Sequence, residues 1–342
     1  MRIALDATYS VGPELTGIGV YSSKLLQGLP NAHPHDEFLF CYRLKQYRKA
    51  QSLKLGNVRQ RILQRPLPLT GADLFHALNQ RVDRRHARRV VSTFHDLFVM
   101  TSQYSSPEFR RRFSDQAKKA VHNSDLIVAV SSFTASQIES LLSVDRSRIR
   151  VIPHGVDMPP LPDDSQRENI ILFVGALQTR KNLVGLIKAF EQVPSDWRLI
   201  LAGSLQGYGA EAIIDRVRKS FACPRIRVTG YLTGAEIKKL YSRARIFAFP
   251  SLDEGFGIPV LEAMAHGVPV VTSDRSALPE IGRGAATLVD PTNTDEIGYA
   301  LRSLATDSGK RAQFSNKGRE RAALFSWDKA IDATYATYSE LV

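Results

Sequence analysis

The sequence predicts an α/β protein with two doubly wound domains, each built on a mainly parallel sheet. Short apolar runs alternate with longer stretches of helical periodicity along most of the 342 residues, a pattern typical of β-α units. With 43% hydrophobic residues the chain can bury a sizeable core, and it is longer than one typical domain of this class. Residues 158–164, rich in proline and acidic side chains, indicate a linker between two series of such units.

The predicted strands fall on either side of this linker. In the first half we expect strands at residues 2–6, 37–42, 74–76, 89–94, 126–130 and 150–152. In the second half we expect them at residues 170–174, 198–202, 226–228, 246–250, 268–272 and 286–289. Thr233 is a predicted N-cap for a helix over 235–243, and Gly267 a predicted stop for a helix over 261–266. We place the domains at 1–162 and 163–325, with a ligand cleft between them at the carboxyl ends of the strands.

The positive charge is concentrated in one segment. The chain carries a formal net charge of +12, and residues 41–123 hold 18 Lys and Arg against 5 Asp and Glu. Such a segment favours an anionic partner, whether a phosphate-bearing lipid, a membrane surface or a nucleic acid. A solvated basic face is the equally weighted alternative. No nucleic acid is expected, because aromatic residues do not alternate with the arginines of this segment.

The N-terminus, the apolar runs and the cysteines further restrict the class of protein. The first five residues enter a strand without the pattern of a signal peptide, so we expect a cytoplasmic protein. The longest apolar run, 170–177, is far short of the roughly 20 residues that cross a bilayer, so any membrane contact should be peripheral. The two cysteines, Cys41 and Cys223, lie far apart without metal-ligand spacing, and we expect both to be free thiols.

The strongest local motif, residues 251–265, directly follows a predicted strand. It consists of a glycine loop and a helix with Pro259 in its first turn, so the backbone N–H groups of Phe256, Gly257 and Ile258 should attract anions and sugar hydroxyls. Glu254 in the loop and Glu262 on the helix can accept hydrogen bonds from the neighbouring hydroxyls of a sugar or ribose. The alternative is an ordinary loop acid and a surface helix acid.

A second strand-to-helix segment, residues 173–183, is basic. Its Arg180 and Lys181 are the side chains best suited to a diphosphate, with each contact contributing about 1.5–3 kcal/mol. A solvated helix start is the alternative. No Asp-x-Asp occurs in the chain, so the usual way of holding a metal against a nucleotide-sugar is missing. We therefore expect no metal and no cofactor, with the two cations in their place.

The first half contributes two further candidates. Gly17 and Gly19, in the segment 16–21 after the first strand, would let a backbone loop approach a phosphate or sugar closely. They do not form the Gly-x-Gly-x-x-Gly fingerprint, which disfavours a dinucleotide-dependent dehydrogenase. His95 ends a later strand and could polarise a hydroxyl or handle a proton, with Asp96 to orient it. A structural His-Asp pair is the alternative.

Together these segments resemble glycosyltransferase family 4, a large family of retaining enzymes with the GT-B fold. The resemblance spans almost the whole chain, and its most specific parts are the Arg180-Lys181-Asn182 segment and the Glu254/Glu262 pair. Further matching segments are 5–7 with the Gly17/Gly19 loop, 75–77, 95–97, 130–133, 153–157 and 325–327. The family fold implies two Rossmann-like domains facing each other across a cleft, with the C-terminal helix, 326–342, returning to the first domain.

The resemblance also implies a role for each matching residue. Arg180 and Lys181 would bind the donor diphosphate, and Glu262 the ribose. Donor-binding or catalytic roles are further implied for Glu254, Gly255, Phe256, Gly257 and Ile258 at the donor sugar, His95 beside that sugar, Gly17 and Gly19 near phosphate and acceptor, and Tyr231 and Leu232 at the base. Ala176 departs from the arginine that some members carry after the glycine matching Gly175, which reduces the number of phosphate-binding cations.

The implied activity is retaining, metal-independent transfer of a hexose from a nucleotide-sugar. The sequences TRKN and HDL look most like those of bacterial polysaccharide mannosyltransferases that use GDP-mannose. The acceptor would be a glycan or a polyprenyl-pyrophosphate-linked glycan in cell-surface polysaccharide synthesis. The basic segment would then dock against an anionic membrane at the cytoplasmic face. A nucleotide-sugar epimerase on the same architecture and a basic nucleic-acid-binding protein remain as alternatives.

Overall fold

The computed structural model describes residues 1–12, 15, 17–50, 55–63, 71–101 and 104–342. The chain divides into two compact units, the first formed by Met1–Gly155 with Ser326–Val342 and the second by Val156–Phe325. The segment 156–162, placed in the first domain from the sequence, therefore groups with the second unit. One backbone bond that holds it there runs from Val156 N to Phe325 O, at 3.0 Å.

The first unit contains a seven-stranded, wholly parallel sheet. Its strands are β1 Arg2–Asp6, β2 Glu37–Tyr42, β3 Val58–Ile62, β4 Leu74–Ala77, β5 Arg89–Phe94, β6 Leu126–Ala129 and β7 Ile149–Val151. Their order in the sheet is β3-β2-β1-β4-β5-β6-β7. The chain leaves β1 on one side and returns on the other at β4, so the switch point between β1 and β4 is where such sheets bind ligands.

Five described helices of the first unit lie between its strands, and two of them begin at side-chain caps. They are α1 Gly17–Ala32, α2 Leu44–Tyr47, α3 Phe98–Thr101, α4 Pro107–Asn123 and α5 Ser132–Leu142. The Ser106 side chain accepts a hydrogen bond from Phe109 N at the start of α4, and Ser131 accepts one from Thr134 N at the start of α5. These bonds satisfy backbone donors that a helix leaves unpaired in its first turn.

The prediction of a glycine loop at Gly17 and Gly19 was wrong. Both residues lie in the first turn of α1, where Gly17 is exposed and Gly19 is buried. A Cβ added at Gly19 would stand 3.0 Å from Tyr9 O, so a glycine here allows the helix to pack closely on the preceding chain. Thr16, which opens the predicted motif, lies outside the described residues.

The returning C-terminal helix implied by the family resemblance is confirmed. The last helix, α13 Trp327–Ser339, belongs to the first unit, and its Trp327, Ile331 and Tyr338 join the core cluster formed with β1, β2 and α1. A Cβ added at Gly28 of α1 would lie 2.0 Å from Ile331 Cδ1, which shows how closely the two helices approach. The Tyr338 hydroxyl lies 2.6 Å from Nδ1 of the buried His76 on β4.

The second unit repeats the same organisation with a six-stranded parallel sheet. Its strands are β8 Glu168–Val174, β9 Arg198–Ala202, β10 Ile226–Gly230, β11 Ala244–Phe249, β12 Val270–Ser273 and β13 Thr287–Val289, in the order β10-β9-β8-β11-β12-β13. The switch point lies between β8 and β11. Every strand predicted for this half is present, with no end shifted by more than two residues.

Seven described helices flank this second sheet. They are α6 Leu183–Phe190, α7 Ala210–Lys219, α8 Gly234–Arg243, α9 Ile258–Ala265, α10 Leu278–Gly282, α11 Thr294–Thr306 and α12 Ser308–Ala322. Thr233 caps α8 as predicted and forms a capping box with Glu236. Gly267, at φ 66°, follows the end of α9. Within the described residues, no helix has both the length and the apolar character needed to cross a bilayer.

Candidate functional site

The two basic and acidic motifs of the second unit meet at its switch point. Arg180 and Lys181 lie in a short 3-10 turn, Thr179–Lys181, that follows β8, and Glu254 lies in the loop after β11. The two loops are joined by a backbone hydrogen bond from Leu252 N to Arg180 O, at 2.8 Å. Neighbouring strands therefore deliver residues that are distant in sequence to one place.

Arg180, Lys181 and Glu254 form a buried ionic cluster. Lys181 Nζ lies 2.5 Å and Arg180 Nη1 2.8 Å from the same carboxylate oxygen, Glu254 Oε1. All three residues are at most 8% exposed. Arg180 Nη1 also donates to Asp253 O, and Lys181 Nζ lies 4.6 Å from the centroid of the Phe249 ring. The sequence pointed to each charge but not to the pairing, and the cluster retains one positive charge in excess.

The cluster keeps Glu254 ionised. Burial alone would raise the pKa of this carboxyl, but Arg180 and Lys181 outweigh it and lower the pKa to about 2. The backbone of Glu254 is also held, since its N–H donates to Ser276 Oγ at 3.0 Å and its carbonyl accepts from Ala277 N at 3.2 Å. The acid is thus a fixed anion within the site.

The pKa of Glu262 is shifted in the opposite direction from that of Glu254. Glu262 lies on α9 with its Oε2 accepting a hydrogen bond from Tyr241 Oη at 3.0 Å. Burial raises the pKa of Glu262 to about 7, although the Tyr241 hydrogen bond opposes this shift. The two predicted carboxylates are therefore distinct in charge near neutral pH. Tyr241, on α8, was missed because no local spacing links it to Glu262.

The glycine loop between these acids has the expected form. Helix α9 begins at Ile258 with Pro259 in its first turn, as predicted. Gly257 adopts φ 113°, a conformation that side chains disfavour, and a Cβ there would lie 2.7 Å from Leu278 Cδ2. Phe256 is buried, and its ring packs edge-on against Phe325. Gly255 lies between the buried Glu254 and Phe256.

Glycines also stand at the carboxyl ends of three neighbouring strands, β8, β9 and β10. A Cβ at Gly203, after β9, would come within 1.9 Å of Gly175 O, after β8. Only glycine therefore allows the backbones that follow these two strands to approach so closely. Gly203 N donates to Gly230 O at 3.0 Å, at the end of β10. The predicted base-binding residues follow directly, Tyr231 being exposed and Leu232 half-buried. Gly203 was missed, although its place directly after a predicted strand is a usable signal.

The remaining candidates belong to the first unit. His95 follows β5, and its Nε2 lies 2.9 Å from Leu78 O, which requires Nε2 to carry the proton. Burial lowers the pKa of His95 to about 4, so the ring is neutral at pH 7 and Nδ1 is the acceptor nitrogen. The Tyr21 ring packs edge-on against it, and His154 stacks on it at 5.4 Å.

Within the part of the chain that the structure describes, no group of three or more His, Cys, Asp or Glu residues could hold a metal ion. The expectation of a metal-independent reaction stays a prediction. The second unit brings Arg180, Lys181 and Glu254 together and keeps Glu262 on the adjoining helix. This arrangement can bind an anion through the excess positive charge and accept hydroxyl hydrogen bonds through the carboxylates.

Comparisons with known proteins agree with this chemistry. Residues 28–158 match the family model of Glycosyltransferase Family 4, and residues 162–321 match that of Glycosyl transferases group 1. O-antigen chain mannosyltransferase B of Escherichia coli is 29% identical, over 98% of this chain and 99% of that protein. Sucrose-phosphate synthase from Thermosynechococcus elongatus has a TM-score of 0.82 at 22% identity, covering 100% of this chain and 99% of its own. Anabaena HepE in complex with UDP and glucose has a TM-score of 0.76 at 18% identity, covering 99% of each chain.

Glu254→Gln should destabilise the protein in a pH-dependent way. The folded pKa of Glu254 lies below the ordinary value, so its stabilisation is complete above pH 4.5 and is lost as the pH falls towards 2. A pKa shift of this size corresponds to about 3 kcal/mol of unfolding free energy. Urea unfolding should therefore show a large difference between wild type and variant at pH 7 and a smaller one at pH 3. Glu320→Gln, at an exposed site on α12, is the control. Equal differences at both pH values would contradict the ionic cluster.

Proposed function

This chain belongs to the family 4 glycosyltransferases and has the GT-B fold, and we propose that it transfers mannose from GDP-mannose with retention of configuration and without a metal. The acceptor is a glycan or a polyprenyl-pyrophosphate-linked glycan in cell-surface polysaccharide synthesis. The name of the Escherichia coli relative, O-antigen chain mannosyltransferase B, supports mannose as the transferred sugar and cell-surface polysaccharide synthesis as the process. The family favours this activity over epimerisation or nucleic-acid binding. The observation that carries the proposal is the buried cationic cluster at the second switch point.

Arg180 and Lys181 hold the donor diphosphate. The negative charge on this leaving group grows as its bond to the sugar breaks, so fixed cations stabilise the transition state more than the ground state. Glu254 and the Asp253 carbonyl orient Arg180 before the substrate arrives. Glu254 also neutralises one of the two charges. The remaining excess attracts the diphosphate without burying two unpaired cations.

The carboxylates and the glycine loop bind hydroxyls. Glu254, ionised at neutral pH, and the backbone from Gly255 to Ile258 hold the donor sugar. Glu262 accepts hydrogen bonds from the ribose, while the backbone of Tyr231 and Leu232 contacts the base. Gly17 and Gly19 in α1 offer backbone N–H groups of a helix N-terminus to a phosphate or the acceptor.

The proposed reaction is a front-face substitution. The bond from the sugar C1 to the phosphate oxygen breaks, the bond from C1 to the acceptor oxygen forms on the same face, and the departing phosphate takes the acceptor's proton. His95 is neutral, so it accepts a hydrogen bond from a donor hydroxyl at Nδ1 and does not act as an acid. Charge stabilisation by Arg180 and Lys181 then supplies the main catalytic effect.

Lys181→Gln should lower kcat/KM for the nucleotide-sugar by about ten- to a hundredfold, the equivalent of one charge-assisted contact. Arg180 still neutralises Glu254 in this variant, so the fold should persist. Initial rates with GDP-mannose measure the effect, and a thermal melt checks the folding.

Lys219→Gln is the matched control, since Lys219 is a highly exposed lysine at the end of α7 in the same unit. Its kcat/KM should stay within about twofold of wild type, as expected for an exposed charge. An undiminished kcat/KM in Lys181→Gln would show that this lysine does not contact the diphosphate.

Nucleotide affinity should rise with pH through Glu262. An ionised carboxylate accepts both ribose hydroxyls, whereas the free protein holds Glu262 partly protonated at a pKa of about 7. Binding below this pKa must release the proton, so GDP affinity should be about tenfold weaker at pH 6 than at pH 8. Calorimetric titrations of wild type and Glu262→Gln test this. The variant should lose most of the pH dependence, and an unchanged profile would exclude Glu262 from the ribose site.

We further propose that the basic segment 41–123 docks the enzyme on the cytoplasmic face of an anionic membrane. Helices α2 and α4 expose Leu44 and Phe109, at 48% and 46%, among basic residues. Apolar side chains flanked by cations are the combination that binds anionic lipid surfaces. Residues 51–54, 64–70 and 102–103 of this segment lie outside the described residues.

Vesicle flotation tests this docking. The protein should float with phosphatidylglycerol vesicles at low salt and should not bind phosphatidylcholine vesicles. At high salt it should detach from phosphatidylglycerol, because the electrostatic attraction is screened. Equal binding to both lipids, or binding to neither, would contradict an electrostatic membrane surface.

A further inference from the structure

A second concentration of positive charge lies in the first unit, away from the residues assigned to the donor. A pocket of about 400 Å³ is bordered by the end of β2, the loop after β4 and helix α4. Its volume is in the range of small-ligand sites, about 300–1,000 Å³. The charged residues that line it are Arg43, Arg81, Arg112, Lys119, Asp83 and Asp115.

The cations of this pocket are not neutralised by nearby carboxylates. Among the described residues, no Asp or Glu side chain forms an ion pair with Arg43, Arg81, Arg112 or Lys119, whereas many other arginines of the chain are paired. Four cations against two carboxylates leave two positive charges in excess around one concave surface. Like charges gathered in this way repel each other, and a bound anion relieves that repulsion.

The pocket adjoins the switch point of the first sheet. Arg43 directly follows β2, and Arg81 lies four residues beyond the end of β4. Both therefore stand at the carboxyl edge beside β1, where doubly wound sheets bind their ligands. The Arg81 guanidinium lies 5.5 Å from the centroid of the Tyr9 ring, which connects the pocket to the chain leaving β1.

Three buried polar atoms at the same edge have no hydrogen-bond partner among the residues that the structure describes. They are Tyr9 Oη, Asn79 Nδ2 and Gln80 Oε1, and Asn79 as a whole is only 2% exposed. A buried polar group without a hydrogen-bond partner is unfavourable, so a ligand that supplies the partner is favoured. Tyr9, whose ring Arg81 contacts, and Asn79, whose Oδ1 accepts from Arg81 N at 2.8 Å, place two donors beside the pocket lining.

We infer that this pocket binds the phosphate or pyrophosphate group of a phosphorylated acceptor. The excess of two positive charges matches the two negative charges of a pyrophosphate that carries a substituent at each end. The donor diphosphate is assigned to Arg180 and Lys181 in the second unit, so the enzyme has two separate anion sites. Only the identification of the ligand as the acceptor rests on the proposed glycosyl transfer.

Binding of inorganic pyrophosphate, in the presence of saturating GDP to fill the donor site, tests the pocket directly. Calorimetry should show binding by wild type and a loss of about tenfold or more in Arg112→Gln/Lys119→Gln, since two charged contacts are removed. The matched control, Arg111→Gln/Lys118→Gln, removes the same charge from the same helix outside the pocket and should change the affinity by less than about twofold. Equal losses in the two variants, or no binding by wild type, would overturn the proposal.

Two further experiments identify the molecule that supplies the phosphate group. The KM for a pyrophosphate-linked glycan should rise about tenfold in Arg112→Gln/Lys119→Gln, while the KM for the same glycan without phosphate should not change. The soluble headgroup glycerophosphoglycerol should not displace pyrophosphate, and displacement would assign the pocket to lipid headgroups instead. Pyrophosphate binding without any transfer would contradict the proposed function but not the anion pocket.

Discussion

The contact of Glu254 with Arg180 and Lys181 is the interaction on which the second unit depends. Three charged side chains are buried together, and each would be costly to bury alone. Their attraction and hydrogen bonds offset that cost only while the loops after β8 and β11 stay in register, as the bond between Leu252 and Arg180 keeps them. The cluster is therefore a structural constraint on two loops, and in the proposed function it is also the preorganised site of the donor diphosphate.

The fold explains why polar residues gather where they do. In each sheet the chain reverses direction beside a central strand, β1 in the first unit and β8 in the second. The loops at these points leave the sheet on opposite sides, which opens a space that side chains from both loops can line. In the second unit that space holds the ionic cluster, and in the first it adjoins the basic pocket near Tyr9 and Arg81.

Local patterns in the sequence predicted most of the fold, because buried parallel strands are short apolar runs and helices carry caps such as Thr233. Strand β3 was missed since its sequence, VRQRI, is only half-buried and alternates with polar residues at an edge. The charged and glycine-rich motifs pointed to Arg180, Lys181 and Glu254, which the structure brings together, while their roles stay predictions. Their pairing could not be predicted, because Lys181 and Glu254 are 73 positions apart and Tyr241 meets Glu262 only through packing. The unsatisfied groups beside Arg81 are likewise visible only in three dimensions.

We propose that protein cations, rather than a metal, stabilise the departing diphosphate during a same-face transfer. The most direct test is the initial rate and product of transfer from GDP-mannose labelled with 13C at C1, measured in EDTA and again with added Mg²⁺. We expect an α-linked product from the α-linked donor and equal rates in both conditions. A β-linked product, or transfer that requires the metal, would contradict it.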